Sequence, residues 1–226
     1  RRPAGPGPAA AELPPVFTAD GGFAVQAALL AQCEAAGDRF AVLDPPFGAA
    51  QDDAGGTAAI AAWRSRFESG YGALYYPWIR AYEPRGTDAL RDIPPSGHVL
   101  GTCAALDRRV GVHRAPANER LRWLQDLTVA PDFGTQEYLT DIHVNLLRSE
   151  GPRGVRIMGA RTVSSDPLAR FVNVRRLILA IKRAVRLLSQ WVVFEPNDAA
   201  TRRRYTAVLE NFLQGLFARG AFAGAT

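Results

Sequence analysis

The sequence predicts an α/β fold in which a mixed, buried sheet is flanked by helices. Segments with apolar residues at helical spacing alternate along the chain with short β-branched or aromatic runs, a pattern typical of α/β domains. Residues 154–197 show it most clearly, because a strand, a polar loop, an amphipathic helix and a second strand are predicted there in succession. Apolar residues make up 47% of the 226 residues, which is enough to fill a sizeable core.

The chain divides into a short arm and one domain. Residues 1–22 are rich in proline, glycine and alanine and have no apolar period, so they are predicted to form an extended arm or linker. Residues 23–226 carry the alternating pattern and are predicted to form a single core domain.

Helices are predicted where apolar residues recur every three or four positions after a polar cap. Thr57, Ser96, Asn173 and Asp198 are the expected N-caps, and Gly37 is the expected left-handed stop of the first helix. The predicted helical segments are 23–36, 57–69, 97–109, 136–140, 174–190 and 199–218.

Strands are predicted where short apolar runs are rich in β-branched or aromatic residues. Pro77 interrupts one of them, which would place that strand at an edge or a bulge. The predicted strands are 39–43, 71–82, 142–147, 154–161 and 191–195. Residues 83–95 are predicted to be loop, and residues 111–123 have no clear period.

The helix at 174–190 is expected to bury one face and expose the other. Val172 and Leu177 are placed to clasp its start as a hydrophobic staple. Its apolar face consists of Val174, Ile178, Ile181, Val185 and Leu188. Its basic face consists of Arg175, Arg176, Lys182, Arg183 and Arg186. The following run, 191–195, is expected to be a buried strand that Pro196 ends.

A second basic cluster lies near the start of the last predicted helix. It consists of Arg202, Arg203 and Arg204. The apolar side of the same helix consists of Tyr205, Val208, Leu209, Phe212, Leu216 and Phe217. The two basic clusters together are the candidate interface with a partner, although solvated helix faces would also explain them.

The aromatic residues decide between two kinds of partner for these clusters. Phosphate binding would need both clusters on one groove, with aromatic side chains free to stack on bases. Phe212, Phe217 and Trp63 lie on apolar faces instead and are predicted to be core. An acidic protein surface is therefore the favoured partner, and a basic nucleic-acid-binding α/β module is the alternative.

The net positive charge is small for a nucleic-acid-binding protein. The net charge is +5, and Lys182 is the single lysine among the 27 basic residues. High-GC codon usage, which favours arginine and alanine, would explain this bias, and so would selection for bidentate binding of carboxylates or phosphates. No run approaches the roughly 18 apolar residues of a membrane span, and the chain does not start with a signal-peptide pattern. We therefore expect neither a membrane association nor an export signal.

Catalytic and metal sites are not expected. Cys103, His113 and Asp126 form a nucleophilic triad on paper, but Cys103 lies in a helical run of small and apolar residues that is typical of an inert thiol. Cys33 has similar neighbours, so both cysteines are expected to be free thiols in a reducing compartment. His98 and His143 are dispersed and lack the spacing of metal ligands. No cofactor is implied.

A glycine-rich stretch at 151–161, GPRGVRIMGAR, superficially resembles a phosphate-binding loop. It has neither the GxGxxG spacing nor a GK[ST] ending. Its glycines are therefore interpreted as turn residues between strands.

Several motifs in one order resemble the contractile tail sheath family. They are LDPP (43–46), YYPW (75–78), IPPSGHVLG (93–101), GVHRAPANE (111–119), VNLLR (144–148), GVRIMGARTVSSDP (154–167), FVNVRRL (171–177) and QWVVFEPND (190–198). The likeness extends over residues 24–220, and residues 120–138 match poorly.

The resemblance implies a structural subunit without an active site. Members of this family polymerise helically around an inner tube and contract to drive it through a target envelope. Their terminal arms exchange strands with neighbouring subunits, so this chain would be a sheath core domain with missing or incomplete terminal arms. The implied partners are further copies of the chain, the inner tube protein, and baseplate and terminal cap proteins. The implied location is a phage tail or injection-system particle assembled in the cytoplasm.

Overall fold

Two sheets meet at Pro77. The computed structural model describes residues 19–47, 55–83 and 89–223. Strand β2 (Gly72–Tyr76) ends just before this proline, and strand β3 (Ile79–Tyr82) begins two residues after it. The two strands belong to different sheets. The interrupted strand predicted at 71–82 is therefore two strands, and β2 is central in its sheet and not at an edge.

The larger sheet is mixed, as the sequence predicts. Its strands are β1 (Ala41–Leu43), β2, β6 (Val144–Ser149) and β7 (Val155–Ile157), in that spatial order. The pairs β1–β2 and β2–β6 are parallel, and β6–β7 is antiparallel. The smaller sheet is antiparallel and has the order β4 (Leu90–Ile93), β3, β5 (Asp126–Leu127).

Helices cover both faces of the larger sheet. The α-helices of the described residues are α1 (Ala19–Ala36), α2 (Gly55–Arg64), α3 (Ser96–Arg109), α4 (Phe133–Asp141), α5 (Val172–Leu188) and α6 (Ala199–Ala218). In the part of the chain that the structure describes, no helix is both long enough and apolar enough to span a membrane.

Each face of the larger sheet has its own core, because successive strand residues point to opposite sides. The core beneath α1, α2 and α4 includes Leu30, Ile60, Trp63, Leu74, Leu139 and Leu146. The core beneath α3 and the start of α5 includes Ala73, Tyr75, Val99, Cys103, Leu147, Ile157 and Val172. Helix α4 and helix α3 therefore lie on opposite sides of the sheet.

Asn145 is a buried polar residue in the middle of this sheet. Its Nδ2 donates to the carbonyl oxygens of Leu74, at 3.1 Å, and Arg161, at 2.7 Å. Its Oδ1 accepts from the backbone N–H of Arg161 at 2.7 Å. A Cβ at Gly159 would come within 2.6 Å of the same Oδ1, so the chain can pass this close to Asn145 only with glycine there.

Several sequence predictions are confirmed. Helix α6 has the predicted bounds, and the Asp198 side chain accepts from the Thr201 N–H at 2.7 Å as its N-cap. Gly37 has φ +61° just after α1. The short helix predicted at 136–140 lies within α4, and the strand predicted at 142–147 overlaps β6.

Three predicted N-caps are wrong, because each residue already lies inside its helix. Thr57 is the third residue of α2, which also ends earlier than predicted, at Arg64. Ser96 begins α3, and its N–H is bound by the Asp44 carboxylate at 3.0 Å. Asn173 donates to the His113 carbonyl at 3.0 Å. Val172 is the first residue of α5 and is buried, so it is core and not part of a staple.

Two local predictions are wrong, because strand formation depends on pairing with residues distant in sequence. Residues 90–93, predicted to be loop, form β4 because they pair with β3. Residues 191–195, predicted to be a buried strand, lie in a 3-10 helix at Gln190–Phe194. Phe194 is 96% exposed, and among the described residues no strand pairs with this run. Residues 19–22 belong to α1 and not to an extended arm, whereas the rest of the predicted arm lies outside the described residues.

Candidate assembly surface

Two of the eight arginine and lysine residues of the candidate interface serve the fold. The Nε of Arg175 donates to the Gly70 carbonyl at 3.1 Å, and its guanidinium carbon lies 4.4 Å from the centre of the Tyr71 ring. Arg176 donates through Nη2 to Asp107 Oδ2 of α3 at 2.5 Å. These contacts hold the start of α5 against the domain, so both side chains are already engaged within the molecule.

A third member, Arg204, holds the last helix against the segment before it. Its guanidinium carbon lies 4.3 Å from the centre of the Trp191 ring. Nearby, the hydroxyls of Ser189 and Tyr205 are hydrogen-bonded at 2.8 Å. These contacts bring the start of α6 beside the end of α5, and this joins the two basic clusters that are separate in sequence.

The remaining five members are exposed, and we call them the α5–α6 basic surface. They are Lys182, Arg183, Arg186, Arg202 and Arg203. Arg186 and Arg202 each lie three residues before the Ser189–Tyr205 contact, which is about one helical turn. Within the described residues, none of the five has an ion pair or a side-chain hydrogen bond. This surface therefore has its cations available for an acidic partner.

The pKa of Asp38 responds to the charges of this surface. The pKa of Asp38 lies below its ordinary value, first because Arg39 donates to it at 2.8 Å and further because Arg183 and Arg186 act on it through their charge. Asp38 precedes β1, so the second half of α5 passes the amino end of that strand. Arg183 and Arg186 therefore lie close enough to Asp38 for their charges to favour its ionised form.

Exposed apolar residues border the basic surface. Leu187, Val193 and Phe194 are 56%, 72% and 96% exposed. The predicted apolar face of α5 is also less buried than expected, since Val174 and Ile178 are 39% and 37% exposed and only Val172 and Leu179 are buried. Charge around an apolar centre is the usual anatomy of a protein interface.

Of the three aromatic residues predicted to be core, only Trp63 is; Phe212 and Phe217 lie on α6, which has no buried residue. Trp63 is buried in the core beneath α1 and α2. Phe212 and Phe217 are half-buried, as are the other members of the predicted apolar side of α6. These three do not form a free stacking platform beside the cations, and the exposed aromatic residue that borders them is Phe194.

Of the triad written from the sequence, Cys103 lies in an environment that disfavours a reactive thiol. Cys103 is buried in the core, and burial raises the pKa of its thiol, which opposes formation of the nucleophilic thiolate. Burial likewise raises the pKa of Cys33, the other free cysteine. In the described ranges no group of three His, Cys, Asp or Glu side chains is arranged to hold a metal ion.

Two of the three glycines in residues 151–161 are turn residues. Gly151 and Gly154 have φ +57° and +74°, values that favour glycine, and they connect β6 to β7. The sequence interpretation is confirmed for these two glycines, whereas Gly159 follows β7 and is required by the close approach to Asn145.

One feature was missed by the sequence reasoning. A groove of about 1030 Å³ lies between α3 and residues 119–123, and the Trp123 side chain at its lip is 90% exposed. The only sequence signal is an aromatic residue in a stretch without apolar period, which does not distinguish a groove from an ordinary loop.

Comparison with known proteins adds the family. Residues 14–163 match the family described as the phage tail sheath protein central domain. The tail sheath protein of Vibrio phage KVP40 is 25% identical over 133 residues, which are 57% of this chain and 20% of that protein.

Solved structures extend the likeness to nearly the whole chain. A chain of the anti-feeding prophage baseplate is 30% identical with a TM-score of 0.75, and the match covers 91% of this chain and 52% of that one. A chain of the PVC sheath complex of an extracellular contractile injection system, in its contracted state, is 31% identical with a TM-score of 0.69, covering 83% and 51%. The chain thus spans about half the length of these structural relatives.

Proposed function

The chain belongs to the phage tail sheath protein family, and from this premise we propose that it is a structural subunit of a contractile sheath. In this role it polymerises helically around an inner tube and contracts to drive the tube through a target envelope. The observation that carries the proposal is the likeness over most of the chain to a subunit of a sheath in its contracted state. The role is mechanical, without catalysis or a cofactor.

The fold suits a subunit that moves as a rigid body. Two cores hold helices on both faces of the mixed sheet, and packed cores resist continuous deformation. Contraction is then a rotation and translation of whole subunits against one another. Contacts between different surfaces of successive copies generate an open helical polymer and not a closed dimer.

The partners follow from this role. We propose self-association, an inner tube protein inside the sheath, and baseplate and terminal cap proteins at its ends. Assembly takes place in the cytoplasm, and the product is part of a phage tail or an injection-system particle.

Within this role, the α5–α6 basic surface docks on an acidic surface of the inner tube or of a neighbouring subunit. Its five cations lack partners within the described residues, and exposed Val193 and Phe194 border them. Charge complementarity of this kind sets the orientation and rate of docking. Arg175, Arg176 and Arg204 contribute indirectly, because they fix the helices that carry the surface.

The nucleic-acid-binding alternative has no support from the comparisons. Its direct test is retention of the protein on immobilised DNA or RNA over a salt series, where a nucleic-acid-binding module would show a steep decline in affinity with salt. We expect no retention at low salt.

The proposed function is tested by expressing the full-length gene product and examining it by negative-stain electron microscopy and high-speed sedimentation. We expect striated tubes and a pelleted fraction. Dispersed monomers at every protein concentration would contradict the proposal.

A further inference from the structure

The groove beside α3 has the shape of a site for an inserted side chain. One of its walls is the outer face of α3, where Gly97, Gly101 and Ala105 follow one another at intervals of one helical turn. A Cβ placed on either glycine would meet nothing within 4 Å. The space above this face is therefore open, in a groove large enough for several side chains.

Trp123 stands at the lip of this groove. It has φ +64°, a conformation that is unfavourable for a bulky residue, and its carbonyl lies 3.4 Å from His98 Nε2 of α3. Its side chain is 90% exposed. A large aromatic residue held in this way at the edge of an open groove is typical of a binding anchor.

The rim of the groove is positively charged. Four arginines line it, Arg109, Arg120, Arg122 and Arg156, against one carboxylate, Glu119. Both oxygens of that carboxylate accept from Arg109 at 2.8 Å, and Arg156 donates to the Asn118 carbonyl at 2.6 Å. Arg120 and Arg122 are exposed and are left to meet an acidic partner.

The outer face of α4 has the complementary features. Phe133 is 80% exposed and Tyr138 is 48% exposed. Glu137 and Asp141 are exposed on the same helix, which contains no lysine or arginine. Arg148 and Arg161 reach α4 only through Gln136 Oε1 and the Thr140 carbonyl, so they do not neutralise the two carboxylates by pairing with them.

The two surfaces cannot meet within one molecule. Leu139 of α4 packs in the core on one face of the larger sheet, whereas Val99 and Cys103 of α3 pack in the core on the other. Only a second copy can bring an α4 to this groove. A contact between unlike surfaces on opposite sides of the domain repeats from copy to copy without closing.

We propose that the groove receives helix α4 of a second copy of this chain, with Phe133 entering beside Trp123 and with Glu137 and Asp141 facing Arg120 and Arg122. The inference rests on the proposed function, since it names one of the contacts by which the subunits associate. It also assigns a role to residues 120–138, where the sequence resemblance to the family is poor.

Disulfide cross-linking in the full-length gene product tests this contact. The variant carries Gly101→Cys and Phe133→Cys; position 101 is open, position 133 is exposed, and the native cysteines of the described chain are buried. Under mild oxidation of assembled protein we expect a ladder of covalent multimers on a non-reducing gel. The matched control combines Gly101→Cys with Leu168→Cys, a residue 87% exposed but outside α4, and it should give no ladder.

A charge exchange gives an independent readout. Arg122→Glu and Glu137→Arg should each raise the protein concentration needed for assembly by about tenfold or more, because like charges then face each other. The double variant should return toward the wild-type concentration. A double variant that assembles worse than either single variant would overturn the pairing.

The outcomes separate the two proposals. Striated tubes without a ladder would overturn this contact and leave the proposed function standing. A cross-link from position 101 to a different protein would show that another occupant fills the groove and would also overturn it. Protein that forms neither tubes nor a ladder would contradict both proposals.

Discussion

Arg176 of α5 is ion-paired with Asp107 of α3, with 2.5 Å between Nη2 and Oδ2. The two side chains are only 17% and 24% exposed. Within the described residues, Asp107 Oδ1 and Arg176 Nη1 are buried without a hydrogen-bond partner, so the pair depends on this single contact. It couples the helix that carries the basic surface to the helix that forms the groove.

We expect Arg176→Ala to lower the free energy of unfolding by about 2 kcal/mol, because it leaves a half-buried carboxylate unpaired. Urea denaturation measures this as a shift of the midpoint. Lys182→Ala on the exposed side of the same helix is the control and should change stability by less than about 0.5 kcal/mol. Equal effects of the two substitutions would contradict the structural role of Arg176.

Asp44 should make stability depend on pH. Burial raises the pKa of its carboxyl from 3.8 to about 7, against a smaller opposing effect of the hydrogen bond from Ser96. Because the pKa is higher in the folded protein, the folded state favours the protonated form. The associated stability is present below about pH 4 and is lost as pH rises toward about 7, by at most about 1.4 kcal/mol for each pH unit.

The Asp44→Asn variant tests this, since an amide stays uncharged and can still accept from the Ser96 N–H. We expect its urea midpoint to change less than that of the wild type between pH 4.5 and 7.5. Asp44→Ala, which also removes the acceptor, should be less stable than Asp44→Asn at both pH values. Parallel pH profiles for Asp44→Asn and the wild type would exclude Asp44 as the titrating group.

Asn145 is the polar centre of the larger sheet. We expect Asn145→Leu to lower the free energy of unfolding by about 3 kcal/mol, because three backbone groups lose their partner in a buried site. The control is Asn173→Ala, which removes one hydrogen bond to the His113 carbonyl and should cost about 1 kcal/mol. An Asn145→Leu protein as stable as the control would mean that the sheet satisfies these groups in another way.

The sequence predicted best what depends on neighbours along the chain. Helix α6 was predicted with its bounds because its cap and its apolar period are both local, as is Gly220 just past its end. The mixed sheet and its covering helices were also predicted, since the alternation of helix and strand patterns is a property of consecutive segments.

Features that depend on distant pairing were not predictable in this way. Strand β4 exists through its pairing with β3, and a short apolar run such as 191–195 is ambiguous between strand and helix. Arg175 and Arg176 looked like surface cations because their partners lie 105 and 69 residues away in sequence. The fold therefore divides the eight candidate residues into five exposed members and three that make structural contacts, and their role as an interface stays a prediction.

This separation sharpens the test of the basic surface. We expect Lys182→Glu, Arg183→Glu and Arg186→Glu together to abolish assembly or contraction of the full-length gene product, while the urea midpoint of unfolding changes little. Arg175 and Arg176 are excluded from the set, since their reversal would destabilise the domain itself. As a control, reversal of Arg108 and Arg114, exposed arginines outside α5 and α6, should leave assembly intact. Wild-type assembly of the triple variant would refute the role of this surface.

The most direct test of the whole account is a helical reconstruction by cryo-electron microscopy of particles formed by the full-length gene product with its inner tube. We expect copies of this α/β domain to repeat on a helical lattice around the tube, with the α5–α6 basic surface buried against an acidic surface. Particles without helical order, or a lattice in which this surface faces bulk solvent, would contradict the account.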